Sequence, residues 1–111
     1  MECAQLCAVL CRACRYATTS LSSFLLKQVA RRAGVPIQEF VVRQDMGCGS
    51  TIGPILSQRT GMRTVDVGLP QLSMHSCREM CGTDDVSHGI NLFTEFFNCF
   101  TEVDASLVTD E

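Results

Sequence analysis

A short apolar run that leads directly into a glycine-rich turn constrains the fold of this chain more than any other feature. Residues 40–42 form the run, and three glycines follow in the stretch "QDMGCGSTIGP". A continuous apolar run is typical of a strand buried on both faces. Glycines permit close backbone approach and positive φ, and open α/β sheets bind ligands where a strand turns into a helix. We therefore predict a strand at 38–43 and a binding loop at 47–53, although an ordinary turn also fits these glycines.

The segment before this strand has the periodicity of an amphipathic helix. Apolar residues repeat at helical spacing within 20–33, and polar residues lie on the opposite face. Thr19 or Ser20 can cap the beginning of this helix, and Gly34 suits its C-terminal cap. A helix that leads into a buried strand predicts a layered α/β fold.

A second helix and a second strand are predicted after the glycine turn. Ser50 or Thr51 can cap a short helix that carries Ile55 and Leu56. The stretch "MRTVDVG" predicts a strand at 63–67. Because two strands joined by a helix usually form a right-handed crossover, we expect one between 38–43 and 63–67.

The last periodic segment predicts a helix at about 86–100. Thr83, Asp84 and Asp85 offer a cap and a favourable charge for its first turn. One face carries apolar residues that belong to the core or to a subunit interface: Ile90, Phe93, Phe96, Phe97 and Phe100. The residues from 101 onward are polar, and we expect them to fray.

Composition narrows the class of protein. The chain has 111 residues, 46% of them hydrophobic and 19% charged, which suits one globular domain. No apolar run approaches the roughly 20 residues of a membrane span, so no membrane partner is expected. Lys27, Arg31 and Arg32 fall on one polar helix face, which is more typical of solvated surface than of a nucleic-acid site.

The eight cysteines predict reduced, mostly buried thiols in a cytosolic protein, because the chain shows no export signal. Four of them are spaced by three or four residues, which on a helix places them near one face: Cys3, Cys7, Cys11 and Cys14. They form either a thiolate metal site or a stripe of small apolar residues. Four ligands on one straight helix cannot surround a tetrahedral ion, which favours the stripe.

His75, in "QLSMHSCREM", is the candidate metal ligand. A single histidine is more often a surface or core residue than a ligand. Ser73, Ser76 and Glu79 can supply the hydrogen bond that a metal-bound imidazole needs, so spacing alone leaves both interpretations open. His88 has no such neighbours, and we interpret it as a surface residue.

Several blocks, in the same order along the chain, resemble the carboxyl-terminal end of the aspartyl aminopeptidases. The blocks are "RYATTSL", "VPIQEFVVRQDMGCGSTIGPIL", "RTVDVGLPQLSMHSCREMC" and "DDVSH". That family comprises cytosolic zinc exopeptidases that remove amino-terminal Asp or Glu. The resemblance implies that 15–104 is part of an α/β/α catalytic domain. An unmatched cysteine-rich segment at 1–14 precedes it, and a polar tail at 105–111 follows it.

The resemblance also implies roles for individual residues. His75 stands at a zinc-ligand position, Tyr16 stands at a substrate-contact position, and the loop 48–53 lies near the substrate pocket. Gln44 and Gly47 depart from the family pattern locally. The complete family enzyme binds two zinc ions and assembles into large homo-oligomers.

The family's other metal ligands and its general base belong to segments without a counterpart in this chain. A catalytic zinc site needs about three protein ligands, so we expect this polypeptide to be a fragment that is inactive alone. Two other functions stay open. One is a non-catalytic subunit that presents the phenylalanine face to a full-length relative, and the other is a small metal-binding domain built on the N-terminal cysteines.

Overall fold

The computed structural model describes residues 6–9, 16–41, 45 and 49–107, and for 6–9 it describes the backbone alone. These residues contain both helices and short strands, which confirms the predicted mixed α/β class. The elements are β1 (Leu6–Val9), α1 (Ser20–Ala33), β2 (Ile37–Phe40), α2 (Gly53–Thr60), β3 (Val67–Gly68), β4 (Gln71–Leu72), β5 (Met80–Cys81) and α3 (Thr83–Ala105).

The larger sheet has the order β2-β1-β3 among the described strands. Strand β1 pairs in parallel with β2, with Leu6 opposite Ile37, and antiparallel with β3, with Ala8 opposite Val67. The expected crossover between the two later strands is therefore wrong, because β2 and β3 run in opposite directions on either side of β1. The parallel pair is instead connected through α1.

Strand β1 corrects the helical interpretation of the N-terminal cysteines. Cys7 lies within the strand Leu6–Val9, whereas the other three cysteines of that set fall outside the described residues. Short apolar runs are compatible with either a buried strand or a helix. Pairing with β2 and β3 decides between the two, and the spacing of single residues cannot reveal that pairing.

Strand β2 is shorter and more exposed than predicted. It ends at Phe40, which is 47% exposed, and the following Val41 is 71% exposed. Residues 42–43 of the predicted strand lie outside the described residues. Burial on both faces is wrong for the described part, where β2 pairs with β1 alone and forms an edge of the sheet.

Helix α1 confirms the prediction at 20–33 and packs against α3 to form the core. Thr19 caps it through a reciprocal capping box with Ser22, and Gly34 ends it at φ 65°. Val29 and Leu92, at the centre of the contact, are fully buried. The remaining buried apolar residues join them in one cluster: Leu25, Leu26, Ala30, Val35, Cys99 and Val103.

Helix α3 is longer than predicted at both ends. It begins after Gly82, which provides no side-chain cap, and Asp84 and Asp85 lie in its first turn. Its last turns do not fray, because Val103 is only 3% exposed and Glu102 pairs with Arg32 at 2.9 Å. The expectation of fraying from 101 onward is wrong as far as residue 107, and residues 108–111 lie outside the described residues.

The predicted apolar face of α3 divides into two faces. Phe96 and Phe100 pack against the core, with ring centroids 4.7 Å apart. Ile90, Phe93 and Phe97 point away from it and are 62%, 53% and 81% exposed. We call these last three residues the outer α3 stripe. One helix therefore presents apolar surface on two sides, and only one side is covered within the described residues.

Helix α2 confirms the predicted short helix but not its cap. Ile52 occupies the N-cap position without a side-chain cap bond, and Ile55 and Leu56 are both exposed. Strand β3 has two residues, of which Val67 lies in the predicted 63–67 region and Gly68 lies just beyond it. Within the described residues, no helix is long and apolar enough to cross a membrane.

Candidate metal-binding loop and the Asp66 junction

A small hairpin carries His75, the sequence-predicted metal ligand. Strands β4 and β5 pair antiparallel, with Gln71 opposite Cys81 and Leu72 opposite Met80. This two-residue ladder brings the ends of the loop 73–79 together. His75 is exposed within that loop. We call residues 73–79 the His75 loop.

His75 adopts a left-handed backbone conformation within a tight turn. The turn runs from Ser73 to Ser76 and is closed by the Ser76 N–H, which donates to the Ser73 carbonyl at 3.0 Å. Within it, His75 has φ 68°, and Ser73 itself has φ 55°. These are the two positive-φ residues other than glycine in the described part of the chain, so the local strain is concentrated in the His75 loop.

Glu79 contacts His75, but not in the expected way. Its carboxylate accepts the backbone N–H of His75, whereas the sequence prediction was a hydrogen bond to the imidazole. Ser76 Oγ accepts the N–H of Arg78 at 3.1 Å. The predicted polar neighbours of His75 therefore organise the backbone of the loop.

The donor set of the described residues can supply a metal ligand but not a closed metal site. No group of three or more His, Cys, Asp or Glu side chains converges there. Cys77 and Cys81, in and beside the His75 loop, are exposed free thiols. Since a catalytic zinc site needs about three protein ligands, the exposed imidazole of His75 fits one corner of such a site.

A buried carboxylate that the sequence prediction missed organises the backbone next to Tyr16. Asp66 Oδ2 accepts the Ala17 N–H at 2.7 Å and both the N–H and the hydroxyl of Thr18 at 3.1 and 2.9 Å. Asp66 Oδ1 accepts the Thr51 hydroxyl at 2.7 Å, and the Asp66 N–H donates to Thr18 Oγ1 at 2.8 Å. We call these residues, together with Gly53, the Asp66 junction.

Gly53 belongs to the Asp66 junction because only glycine fits there. A Cβ at this position would lie 2.7 Å from Asp66 Oδ1 and 3.2 Å from the Cβ of Ala17. By contrast, a Cβ at Gly49 would meet nothing within 4 Å. The predicted need for close approach is therefore confirmed at Gly53 and wrong at Gly49, while Gly47 lies outside the described residues.

The Asp66 junction fixes the backbone next to Tyr16, the sequence-predicted substrate contact. Tyr16 is half-buried and directly precedes the two residues whose N–H groups bond to Asp66. A carboxylate within the apolar stretch "TVDVG" was the available signal for this junction, since buried charges are nearly always paired or hydrogen-bonded. Thr18 and Ala17 are 48 and 49 residues away from Asp66 along the chain, so only the fold identifies them as its partners.

The clear pKa shifts at the end of α3 have structural causes. Hydrogen bonding to Arg32 lowers the pKa of Glu102, and hydrogen bonding to Arg63 lowers the pKa of Asp104. Burial raises the pKa of the Cys99 thiol. Ion pairs and burial account for these shifts, and they give no indication of catalysis.

The hairpin and the Asp66 junction lie within one region of the chain that matches a known protein family. The family described as aminopeptidase I zinc metalloprotease (M18) matches residues 9–97. The chain belongs to the M18 family. A probable aspartyl aminopeptidase of Ricinus communis is 56% identical over 96 residues, and aspartyl aminopeptidase 1 of Schizosaccharomyces pombe is 56% identical over 97 residues. These matches confirm the resemblance to aspartyl aminopeptidases.

Solved M18 structures share the backbone of this chain. It superposes on Ape4, from a complex with Nbr1, with a TM-score of 0.92 and 50% identity, covering 97% of this chain and 21% of that one. It superposes on yeast aminopeptidase 1 with a TM-score of 0.76 and 36% identity, covering 89% of this chain and 21% of that one. The match to the Ricinus and Schizosaccharomyces relatives covers 86% and 87% of this chain but 20% of each relative. The M18 chain described here therefore spans about one fifth of their length.

Proposed function

We propose that this chain contributes one corner of the active site of an aspartyl aminopeptidase, which removes amino-terminal Asp or Glu from peptides. In this proposal residues 15–104 belong to the catalytic domain, with 1–14 before it and 105–111 after it. The observation that carries the proposal is the exposed, conformationally strained His75 within the part of the chain that matches a zinc metalloprotease family.

His75 is the proposed zinc ligand, and two zinc ions are proposed for the complete enzyme. When bound, zinc acts as a Lewis acid on the substrate carbonyl and lowers the pKa of water. The role of this chain is to hold one imidazole in place. Strain at a residue other than glycine persists where the surrounding structure enforces it, often at functional sites, and this supports a ligand at His75.

Tyr16 is the proposed substrate contact. The Asp66 junction supports this role, because hydrogen bonds to Ala17 and Thr18 immobilise the backbone next to Tyr16. A fixed backbone reduces the entropy that a side chain loses when it binds substrate. In the proposed enzyme, the junction orients Tyr16 while the His75 loop presents the metal ligand.

The proposed enzyme is a cytoplasmic homo-oligomer without nucleic-acid or membrane partners. The free thiols of Cys77, Cys81 and Cys99 suit a reducing compartment. A related structure is that of the Saccharomyces cerevisiae mApe1 dodecamer, which supports assembly. The outer α3 stripe is apolar surface of the kind that protein interfaces cover.

The test replaces the matching carboxyl-terminal fifth of the Schizosaccharomyces pombe relative with this chain and measures hydrolysis of an aspartyl-nitroanilide substrate. We expect the chimera to be active and to contain zinc, and we expect the isolated chain to show no turnover. His75→Ala should remove activity and lower the zinc content of the chimera. His88→Ala, at a half-buried position on α3, is the matched control and should retain activity and zinc content.

Two results would contradict the proposal. One is a folded chimera in which His75→Ala keeps full zinc content and activity. The other is turnover by the isolated chain that His75→Ala abolishes, because a single ligand from the described residues cannot form a closed site.

A non-catalytic subunit is the second candidate function, and the exposure of the outer α3 stripe favours it. In that case the chain would co-purify with an intact M18 enzyme through Phe93 and Phe97. Replacing both by Ser would abolish co-purification, whereas a zinc-containing, active chimera would favour the catalytic proposal.

A further inference from the structure

His75 occupies a turn position that normally belongs to glycine. In the turn from Ser73 to Ser76, it is the third residue, and its φ of 68° has the positive sign that a type II turn requires there. A residue with a Cβ pays about 1 kcal/mol for this conformation. The local sequence alone would therefore favour a different backbone conformation at His75.

The carboxylate of Glu79 supplies the contact that selects the strained conformation. It accepts the N–H of His75, and a hydrogen bond to a charged acceptor is stronger than one between neutral groups. The pairing of Leu72 with Met80 positions the two ends of the loop. Because Glu79 directly precedes Met80, its side chain is anchored by β5 and reaches back across the turn.

The other polar side chains of the loop do not substitute for Glu79. Ser76 Oγ accepts the Arg78 N–H, and the Arg78 guanidinium donates to Cys77 Sγ at 3.5 Å. Neither contact involves His75. Among the described side chains, Glu79 is thus the one that hydrogen-bonds the His75 backbone.

We infer that Glu79 is a positioning residue that acts on the candidate metal ligand through its backbone. It holds His75 in the left-handed conformation and so fixes the direction in which the imidazole leaves the loop. The inference rests on the proposed role of His75 as a zinc ligand. Residues that orient a metal ligand typically change metal affinity by 10–100-fold when replaced.

Amide hydrogen exchange on the full chain tests the contact in the metal-free protein. Glu79→Ala should accelerate exchange of the His75 amide about ten-fold, because its hydrogen-bond acceptor is lost. Glu79→Gln keeps an acceptor oxygen and should restore most of the protection. Arg78→Ala removes a charge from the same loop and is the matched control. The amide of Val29, in the core, reports whether each variant remains folded.

Zinc affinity of the chimera, measured by chelator competition, tests the consequence. Glu79→Ala should weaken zinc binding about ten-fold or more, with rescue by Glu79→Gln and no change for Arg78→Ala. A purely structural role would lower the thermal midpoint without changing zinc affinity. The inference is overturned if Glu79→Ala matches Arg78→Ala in both His75 exchange and zinc affinity.

The two proposals fail in distinguishable ways. If His75→Ala leaves the zinc content of the chimera unchanged, the proposed function fails. If His75→Ala removes zinc but Glu79→Ala changes neither exchange nor affinity, only the role of Glu79 fails.

Discussion

The Asp66 junction and the His75 loop use the same chemistry in opposite settings. In each, a carboxylate accepts at least one backbone N–H and thereby fixes a segment of chain. Asp66 is buried and, within the described residues, its side chain accepts four hydrogen bonds. Glu79 is exposed and accepts the N–H of His75 alone among the contacts of the described loop.

The difference suggests that Asp66 stabilises the fold, whereas Glu79 orients the segment that carries His75. A buried carboxylate with several donors is costly to remove, because its former partners are left unsatisfied away from water. Water competes with an exposed carboxylate for the same backbone N–H, so such a carboxylate contributes little to the stability of the protein. It can still favour one backbone conformation of the loop. We therefore expect stability to depend on the Asp66 junction and ligand geometry to depend on the His75 loop.

The largest expected effect compares the two carboxylates directly. Asp66→Ala should lower the free energy of unfolding by roughly 2–4 kcal/mol, since it leaves the buried donors of Thr18 and the half-buried donors of Ala17 and Thr51 without this acceptor. Glu79→Ala should lower it by no more than about 1 kcal/mol. Urea unfolding followed by circular dichroism measures both. Equal losses would show that the two regions do not differ as proposed.

The next effect tests the close approach at the Asp66 junction. Gly53→Ala should destabilise the protein by about 1–3 kcal/mol, because the new Cβ would overlap the carboxylate of Asp66. Gly49→Ala is the matched control, and its unfolding free energy should stay within about 0.5 kcal/mol of the parent. Similar midpoints for the two variants would contradict the packing described for Gly53.

A smaller effect tests the strain in the His75 loop. His75→Gly should be about 1 kcal/mol more stable than His75→Ala, because glycine adopts positive φ without a steric penalty. At most positions outside turns, Ala is the more stable of the two. Thermal unfolding of the pair measures the difference, and a more stable His75→Ala would mean that the loop is not left-handed at this residue.

The smallest expected effect concerns the ion pairs of α3, which lie outside both regions. Its size can be compared with the effects in the Asp66 junction and the His75 loop. Arg63 and Arg32 lower the pKa of Asp104 and Glu102 in the folded state. The two carboxylates therefore stabilise the fold at pH values above their ordinary pKa values of 3.8 and 4.5. That contribution is lost as the pH falls through the lowered pKa values.

Thermal unfolding as a function of pH measures this effect. The midpoint should fall below about pH 4.5 and fall less steeply in Arg63→Met, with the difference reduced by salt. If the midpoint of Arg63→Met falls with pH as steeply as that of the parent, the ion pair between Arg63 and Asp104 does not contribute to stability.

Local signals in the sequence determined the parts of the fold that depend on local chemistry. Helix α1 has an amphipathic pattern, a threonine cap and a C-terminal glycine, and the structure confirms all three. The sequence blocks likewise identify the family, because many residues in a fixed order are compared at once. His75 as zinc ligand and Tyr16 as substrate contact stay predictions that the chimera tests.

Contacts between distant segments were decided by the tertiary structure alone. Pairing with β2 and β3 makes Leu6–Val9 a central strand despite a cysteine spacing that suits a helix. Packing against the core decides which phenylalanines of α3 are partly buried, and Asp66 accepts hydrogen bonds from Ala17 and Thr18, which are distant along the chain. The left-handed backbone of His75 was also decided by the tertiary structure, because it depends on a loop that two short strands and the Glu79 carboxylate close. A sequence pattern reports propensities along the chain, whereas these features follow from which segments meet in space.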